Sequence, residues 1–329
     1  MAANQIPRFQ RIGVMTCGGD APGMNACVRA VVRTGLSFGA EIYGIRRAYA
    51  GLIAGDITRL GPRDVGGIIQ KGGTILQTAR LAEFKEPRMQ KLALRRLHEQ
   101  DIEALVVIGG DGSLQGAMAL HRLGFPVVGI PASIDNDIWG TNMAIGVDTA
   151  LNTILEAIDK LRDTASSHQR AFLIETMGRN NGYLALMGGI TGGAEVIHIP
   201  EVPLTLEEIA ERVEQAYIRG KTHAIIVVSE GAEHSTEAIV HHLGEHHTGF
   251  EVRVTILGHV QRGGRPSHFD RLLATRFGVA AVEALMADRI GVMVGLDGRQ
   301  IREVPIEEVV TTQRVANLQY YEMAKMLAR

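Results

Sequence analysis

Residues 105–115 read LVVIGGDGSLQ, the most informative segment of the chain for its fold class. Four apolar residues end abruptly at Gly109, and a helical pattern begins after Ser113. A buried strand that stops at a glycine turn and leads into a helix presents backbone N–H groups at the positive end of the helix dipole. The turn therefore predicts a phosphate-binding loop. Asp111 lies inside it, and an acid in an anion site makes chemical sense if it binds a divalent cation that accompanies a nucleotide.

A second glycine turn, residues 18–23, follows the short run 12–16. The pattern then predicts a helix over residues 24–35, on which Arg29 and Arg33 are four apart and share a face. One glycine-rich turn is weak evidence, because glycines close many strand-to-helix turns for steric reasons alone. Two copies, each at the end of an apolar run, strengthen the prediction of phosphate binding.

The composition is that of an ordinary globular protein. The chain has 329 residues, with 34 basic against 36 acidic side chains and a formal charge of −2. This length favours two domains, and the balanced charge gives no reason to expect nucleic-acid binding. Residues 1–11 lack the apolar core of a secretory signal, and no apolar run reaches the ~20 residues that cross a membrane. We expect a cytoplasmic protein with no membrane partner.

Two cysteines, Cys17 and Cys27, are too few for a disulfide scaffold and do not have the spacing of metal ligands. Cys17 lies at the mouth of the first glycine loop, where it is either redox-sensitive or a small buried residue. The buried interpretation is favoured.

Apolar runs and helical patterns alternate along the chain, which is typical of parallel α/β architecture. The runs are 12–15, 105–108, 127–130, 172–174 and 224–228, and helical patterns cover 148–162 and 206–219. Ligands of such sheets bind beyond the carboxyl ends of the strands. The glycine loops, Asp135, Arg179 and Glu230 all follow apolar runs, so we predict two α/β lobes with one cleft between them, connected by the long amphipathic helix near residue 155.

An acidic loop, residues 133–137, follows the run 127–130 and reads SIDND. Asp135 and Asp137 suit a division of labour in which one carboxylate accepts a proton from a hydroxyl and the other supports a metal. Taken alone, the loop rather favours an Asx turn, the usual reason for Asp and Asn after a strand.

Several arginines interrupt the pattern, and planar guanidinium groups bind phosphate well. They are Arg80, Arg162, Arg170, Arg179, Arg253 and Arg262. Singly, such residues are usually solvated or paired with surface acids.

The histidines of segment 241–247 include pairs spaced four or five apart, but a polar helix face explains them as well. No metal is expected there, since a structural zinc site needs about four ligands.

Seven motifs together resemble one family. In order they are GGDAPGMN (18–25), GGT…AR (72–80), GGDGS (109–113), SIDND (133–137), DTASSHQR (163–170), ETMGR (175–179) and GHVQRGG (258–264). In this order and spacing they resemble the bacterial-type ATP-dependent 6-phosphofructokinases, from about Ile12 to past Gly264. The resemblance implies two similar Rossmann-like three-layer lobes with mostly parallel sheets and the active site in the cleft between them. The larger, ATP-binding lobe would comprise residues 1–146 and about 261–310, and the smaller, fructose 6-phosphate-binding lobe residues 147–260 and about 311–329.

The family transfers the γ-phosphoryl group of ATP to the 1-hydroxyl of fructose 6-phosphate, a task of positioning and charge stabilisation. By resemblance, Asp135 accepts the proton of that hydroxyl, and Asp111 holds Mg²⁺ with Asp137 as support. Arg179 neutralises developing charge and Ser133 lies near the transferred group. The residues implied for ATP are Gly19, Arg80, Leu81, Gly110, Asp111, Gly112 and Ser113. Those implied for the sugar phosphate are Ser133, Asp135, Met177, Gly178, Arg179, Glu230, His259 and Arg262, with Arg170 and Arg253 reaching in from a neighbouring subunit.

Two positions bear on the phosphoryl donor. Pyrophosphate-dependent relatives typically have Asp at position 112 and Lys at position 132, because Asp repels the α-phosphate of a nucleotide. Here they are Gly112 and Ala132, which favours ATP. Pyrophosphate as donor remains the alternative. NAD or lipid kinases share the GGDG turn but lack the MGR and GHVQRGG elements, and a decayed regulatory subunit would lack Asp111, Asp135 or Arg179.

The resemblance also implies a homotetramer with sites shared between subunits. An effector pocket for ADP or phosphoenolpyruvate is implied by Arg29, Arg33, Arg162, Glu195, Lys221 and His223. The family's further arginine is replaced by Pro62, so the identity and strength of the effector stay open. The segment between Glu230 and Arg253 is two residues longer than in the commonest members.

Overall fold

The computed structural model describes residues 7–246, 248–314 and 317–328. Its strands are β1 Arg11–Thr16, β2 Glu41–Ile45, β3 Ile57–Leu60, β4 Ala104–Gly109, β5 Val127–Pro131, β6 Arg170–Thr176, β7 Val196–His198, β8 Ala224–Ser229, β9 Glu251–Ile256, β10 Val292–Asp297 and β11 Gln300–Pro305. Its helices are α1 Met24–Ser37, α2 Ala48–Ala54, α3 Pro87–Glu99, α4 Asp111–Arg122, α5 Val147–His168, α6 Tyr183–Thr191, α7 Leu206–Ile218, α8 Thr236–Glu245, α9 His268–Met286, α10 Ile306–Thr311 and α11 Leu318–Leu327. Short 3-10 helices cover Ala82–Lys85 and Gly258–Arg262.

The chain divides into two compact units. The larger comprises Met1–Ile134, Ile138–Thr149 and Arg262–Arg314. The smaller comprises Asp135–Asp137, Ala150–Gln261 and Val315–Arg329.

The larger unit contains a seven-stranded sheet in the order β11-β10-β5-β4-β1-β2-β3. Its central strands are parallel, and Val106 of β4 pairs with Val14 of β1 on one side and Val128 of β5 on the other. Every residue of β4 is buried, as expected for a strand covered by helices on both faces. The edge strands β3 and β11 run antiparallel to their neighbours. The carboxyl ends of β1, β4 and β5 therefore lie side by side.

The smaller unit contains a four-stranded parallel sheet in the order β7-β8-β6-β9. Its core includes Leu173, Ile226 and Val228 from the sheet, Ile209 and Val213 from α7, and Ile239 from α8. Helix α7 starts with a capping box, in which Thr205 and Glu208 satisfy each other's main-chain N–H groups. The parallel α/β class predicted from the alternating patterns is confirmed.

Two helices extend beyond the segments predicted from periodicity, since α1 reaches Ser37 and α5 reaches His168, whereas α7 ends at Ile218, one residue short of its prediction. Helix α5 was expected over 148–162 and continues to His168, so that it includes most of the DTASSHQR motif. Within the described part of the chain, no helix has both the length and the apolarity that a membrane crossing requires.

Candidate active site

The GGDGS turn sits between β4 and α4. Gly109 ends the strand, Gly110 precedes the helix, and Asp111 and Gly112 are its first two residues. Main-chain N–H groups in the first turn of a helix lack intrahelical acceptors, so the start of α4 is a favourable place for an anion. A Cβ at Gly109 would collide with Ser113 and the Cys17 carbonyl, whereas one at Gly112 meets nothing within 4 Å. Packing thus requires Gly109, and the space around Gly112 is open.

The first glycine loop adjoins this turn. The main-chain N–H of Cys17 donates to the Ile108 carbonyl at 2.9 Å. Gly18 has a φ of 80°, and a Cβ there would lie 3.2 Å from Ser113 Oγ. The two glycine loops predicted from sequence are therefore neighbours at one edge of the larger unit's sheet.

Two side chains that no sequence motif singled out hydrogen-bond segment 71–81 to the same edge of the sheet. Asn25, buried on α1, donates to the carbonyls of Lys71 and Gly72 at 3.1 Å and accepts from Ile75 N at 2.8 Å. Thr78 Oγ1 donates to the Gly18 carbonyl at 2.6 Å. A polar residue among the apolar positions of α1 was the available signal for Asn25.

Arg80 comes two residues after Thr78, the residue bonded to the Gly18 carbonyl. Its side chain is exposed, and Leu81, which is half-buried, accepts a hydrogen bond from Phe84 N at 3.2 Å as the chain enters a 3-10 turn. The anchored segment therefore carries Arg80 on the same unit as both glycine loops.

Arg262 also belongs to the larger unit. Its guanidinium packs against Gly19, so closely that a Cβ at that position would collide with it. Gly72 makes a similarly close contact with the Gly264 main chain. Sequence reasoning grouped Arg262 with the sugar-phosphate residues, and the structure brings it beside a loop assigned to ATP.

Asp111 is exposed and accepts a hydrogen bond from Gln115 Nε2 at 2.7 Å. An exposed carboxylate at a helix N-terminus fits a magnesium-bound phosphate chain, because Mg²⁺ takes oxygen ligands and keeps several from water and phosphate. Over the residues that the structure describes, no group of three or more His, Cys, Asp or Glu side chains is arranged to hold a metal. Asp111 is the residue of this turn that would bind the ion.

The acidic loop begins beside the glycine turn. Ala132 N donates to the Gly109 carbonyl at 3.0 Å, and Ser133 N to the Ile145 carbonyl at 3.2 Å. Ser133 Cβ lies 3.9 Å from the Cβ position of Gly110. Ser133 is thus fixed against the turn.

The smaller unit includes the next three residues, Asp135, Asn136 and Asp137. Asn136 is buried and has a φ of 50°, a left-handed conformation that Asn adopts more readily than most residues. The two carboxylates on either side of it are half-buried. The tight backbone agrees with a turn, and Oδ1 of Asp135 is buried.

In the smaller unit, two segments that follow neighbouring strands are locked together. Gly178 has a φ of 138°, and its carbonyl accepts hydrogen bonds from Ser229 Oγ at 2.6 Å and Gly231 N at 3.2 Å. Glu230 N donates to the Thr176 carbonyl at 2.9 Å. These bonds bring Met177, Gly178 and Arg179 next to Glu230. Both charged side chains, Arg179 and Glu230, are exposed.

Gln261 is a functional candidate that sequence reasoning missed. It is fully buried, its Oε1 accepts from Met177 N at 3.3 Å, and its Nε2 donates to the Gly258 carbonyl at 2.9 Å. It therefore connects the Met177 turn to the segment carrying the exposed His259. Its place inside the GHVQRGG motif was the available signal.

Arg170 and Arg253 lie on adjacent strands, β6 and the edge strand β9, and both pair with Glu251. The hydrogen bond from Arg170 is the main cause of the lowered pKa of Glu251, with Arg253 contributing further. The two guanidinium groups are thereby held together at the open edge of the smaller unit's sheet.

Four of the six predicted effector residues come together in the smaller unit. Lys221 Nζ donates to Glu195 Oε1 at 2.9 Å, and the other Glu195 oxygen accepts from Ile225 N at 2.6 Å. Arg162 donates to the Gly192 carbonyl. Burial lowers the pKa of His223, and Arg162 and Lys221 lower it further while Glu195 opposes them. The remaining two, Arg29 and Arg33, lie on α1 of the larger unit.

The histidine segment forms the end of α8. His241 lies 3.5 Å from the Glu245 carboxylate, and the rings of His242 and His246 stack at 3.9 Å. His247 lies outside the described residues.

Both cysteines are buried, and burial raises the pKa of each thiol. A thiol held protonated is a poor nucleophile, which agrees with the buried interpretation of Cys17.

Comparisons with known proteins agree with this arrangement. A family model described as Phosphofructokinase matches residues 11–285. An ATP-dependent 6-phosphofructokinase of Thermotoga neapolitana is 54% identical over 321 residues, covering 97% of this chain and 100% of the relative. ATP-dependent 6-phosphofructokinase 1 of Thermus thermophilus is 50% identical over the same shares. Among solved structures, Pichia pastoris phosphofructokinase in the T-state superposes with a TM-score of 0.87 at 37% identity. That match covers 99% of this chain and 39% of the yeast chain.

Proposed function

The chain belongs to the phosphofructokinase family, and from this membership we infer that it is an ATP-dependent phosphotransferase acting on fructose 6-phosphate. It transfers the γ-phosphoryl group of ATP to the 1-hydroxyl of D-fructose 6-phosphate. The products are fructose 1,6-bisphosphate and ADP, and the reaction is a step of glycolysis. The observation that carries this conclusion is the full-length match at 54% identity to an ATP-dependent enzyme.

ATP rather than pyrophosphate is the donor, and the glycine turn supplies a physical reason. The space in front of Gly112 is open, so the turn can admit the α-phosphate of a nucleotide. The test is a coupled assay of fructose 1,6-bisphosphate formation with each donor at equal magnesium. We expect turnover with Mg-ATP. Turnover with pyrophosphate and none with Mg-ATP would reject this assignment.

We assign ATP binding to the larger unit. The N–H groups at the start of α4 and the neighbouring Gly18–Gly19 loop bind the phosphates, Ser113 supports the turn, and Arg80 and Leu81 lie along the nucleotide. Asp111 holds Mg²⁺, which supplies charge neutralisation on the phosphate oxygens when bound. Asp137 supports it. Arg262, which lies beside Gly19, stays assigned to the sugar phosphate.

Asp135 is assigned as the proton acceptor for the 1-hydroxyl. Its half-buried carboxylate comes two residues after Ser133, whose main-chain N–H donates to the Ile145 carbonyl. A carboxylate can accept a proton from the hydroxyl as its oxygen attacks. Arg179 stabilises the negative charge that accumulates on the transferred group.

Fructose 6-phosphate binding is assigned to the smaller unit, through Met177, Gly178, Arg179, Glu230 and His259. Arg170 and Arg253 complete the phosphate site of a neighbouring subunit. The pair at the open edge of the sheet is well placed for this, because Glu251 fixes both guanidinium groups while leaving them accessible. Such sharing requires assembly, and a homotetramer is the state we propose.

The cluster of Arg162, Glu195, Lys221 and His223 is proposed as part of an effector site for ADP or phosphoenolpyruvate. Basic groups gathered from separate segments suit such anions. Arg29 and Arg33 are assigned to the same function. The enzyme is placed in the cytoplasm, where its charged substrates occur.

A further inference from the structure

His198 is a buried histidine outside the site described above. It ends strand β7, and its side chain is 0% exposed. Its Nε2 accepts a hydrogen bond from the main-chain N–H of His234 at 3.4 Å, and the two rings stack at 5.8 Å. Because Nε2 is the acceptor, the neutral ring carries its proton on Nδ1. This hydrogen bond is long, so the stacking of the His198 ring on the His234 ring also contributes to the contact.

The environment keeps this ring neutral. Burial and the neighbouring His234 lower the pKa of His198 to about 4, and Glu233 opposes them. The buried Nδ1 has no hydrogen-bond partner among the described residues. A buried N–H without a partner costs stability, which an apolar side chain at this position would avoid. The histidine therefore needs a reason other than core packing.

The contact that His198 makes is with the loop after β8. This loop, residues 230–234, begins with Glu230, which is assigned to the sugar phosphate. On the β6 side, Glu230 N and Gly231 N donate to the carbonyls of Thr176 and Gly178. On the β7 side, His234 N donates to His198. In the sheet, β8 lies between β6 and β7. The loop after β8 is therefore hydrogen-bonded to residues at the ends of both neighbouring strands.

We infer that His198 is a positioning residue, which holds the loop 230–234 through its contact with His234 and thereby keeps Glu230 oriented for fructose 6-phosphate. This inference rests on the proposed function, in which Glu230 binds the sugar phosphate. Removing the acceptor frees the far end of the loop and leaves the β6 anchors intact. The loss therefore appears in sugar-phosphate affinity and not in the chemical step.

The test compares three variants of the full-length enzyme. His198→Leu removes the acceptor at similar volume, and we expect the KM for fructose 6-phosphate to rise about tenfold while kcat and the KM for ATP stay within about twofold. His198→Gln places an amide oxygen where Nε2 lies, so it should restore the lower KM. His121→Leu is the matched control, because His121 also has a buried Nδ1 without a described partner and lies in the larger unit. Its KM for fructose 6-phosphate should be unchanged.

Two further measurements separate this role from a structural one. The melting temperature of His198→Leu should equal or exceed that of the wild type, since the unpaired N–H is gone. Amide hydrogen exchange over residues 230–235 should be faster in His198→Leu than in His198→Gln, a readout that does not depend on activity. Unchanged exchange, an unchanged KM for fructose 6-phosphate, or failure of His198→Leu to fold would each overturn the inference. Absence of fructose 6-phosphate turnover in the wild type would instead reject the proposed function itself.

Discussion

The carboxylate of Asp270 accepts a hydrogen bond from the main-chain N–H of Thr149 at 2.8 Å, joining residues 121 positions apart. Asp270 also accepts from Thr149 Oγ1 at 2.6 Å and from Gly146 N at 2.9 Å. Gly146 and Thr149 lie at the start of α5, so a side chain of α9 caps a different helix. Because α9 follows directly after the QRGG segment, this cap also fixes the chain next to Arg262 and Gly264.

Asp270 makes the stability of the fold depend on pH. Burial is the main cause that raises the pKa of Asp270 to about 6, against 3.8 for an ordinary aspartate, and its hydrogen bonds oppose that rise. Between pH 3.8 and about 6, the Asp270 carboxyl is deprotonated in the unfolded chain but still protonated in the folded protein. The free energy of unfolding therefore falls as the pH rises from 4 to 6, by up to about 3 kcal/mol.

Asp270→Asn should lack this pH-dependent contribution to the free energy of unfolding, because an amide does not titrate in this range. We expect it to be less stable by about 1–3 kcal/mol at pH 4, because its amide cannot accept all three hydrogen bonds. We also expect its urea-unfolding free energy to change less between pH 4 and pH 6 than that of the wild type. Parallel curves for the two proteins would show that the burial of Asp270 does not govern this pH range.

Gly112→Asp tests the choice of phosphoryl donor. The open space at this position accommodates a side chain without disturbing the fold, so the effect should come from charge. We expect the KM for ATP to rise at least about tenfold, because the new carboxylate repels the α-phosphate. Gly112→Asn is the matched control, with the same size and no charge, and should have a smaller effect. Equal KM values for the two variants would reject electrostatic discrimination.

Asp135→Ser tests the proton acceptor. Loss of a general base should lower kcat by about two orders of magnitude or more, with modest changes in both KM values. The measurement is steady-state kinetics with ATP and fructose 6-phosphate. Near-normal kcat would mean that another group accepts the proton.

Arg253→Ala tests whether sites are shared between subunits. Alone, it should raise the KM for fructose 6-phosphate strongly, because a phosphate contact is lost. Mixed oligomers of Arg253→Ala and Asp135→Ser chains contain sites that combine an intact Asp135 with an intact Arg253 from the neighbour. Refolding the two variants together should therefore recover activity at low substrate. If co-refolded mixtures are no more active than the sum of the separate variants, Arg253 acts within its own subunit.

Local patterns were sufficient for the fold class and for the phosphate loops. The run Leu105–Ile108 followed by the GGDGS turn predicted a buried strand and a helix start, and the structure has α4 beginning at Asp111. The second copy at residues 18–23 leads into α1 at Met24 in the same way. Such signals are readable because strand burial, glycine turns and helix starts depend on residues within a few positions of one another.

Patterns along the chain were enough to predict the parallel α/β class and the glycine loops, and the seven ordered motifs were enough to indicate the family. Three contacts come from the packing of the fold: Arg262 lies beside Gly19, Asp270 caps α5, and His198 accepts a hydrogen bond from His234 N. In each case the two groups are separated by many residues along the chain. They meet because the packing of strands and helices brings their ends together, and no periodicity in the sequence encodes that contact.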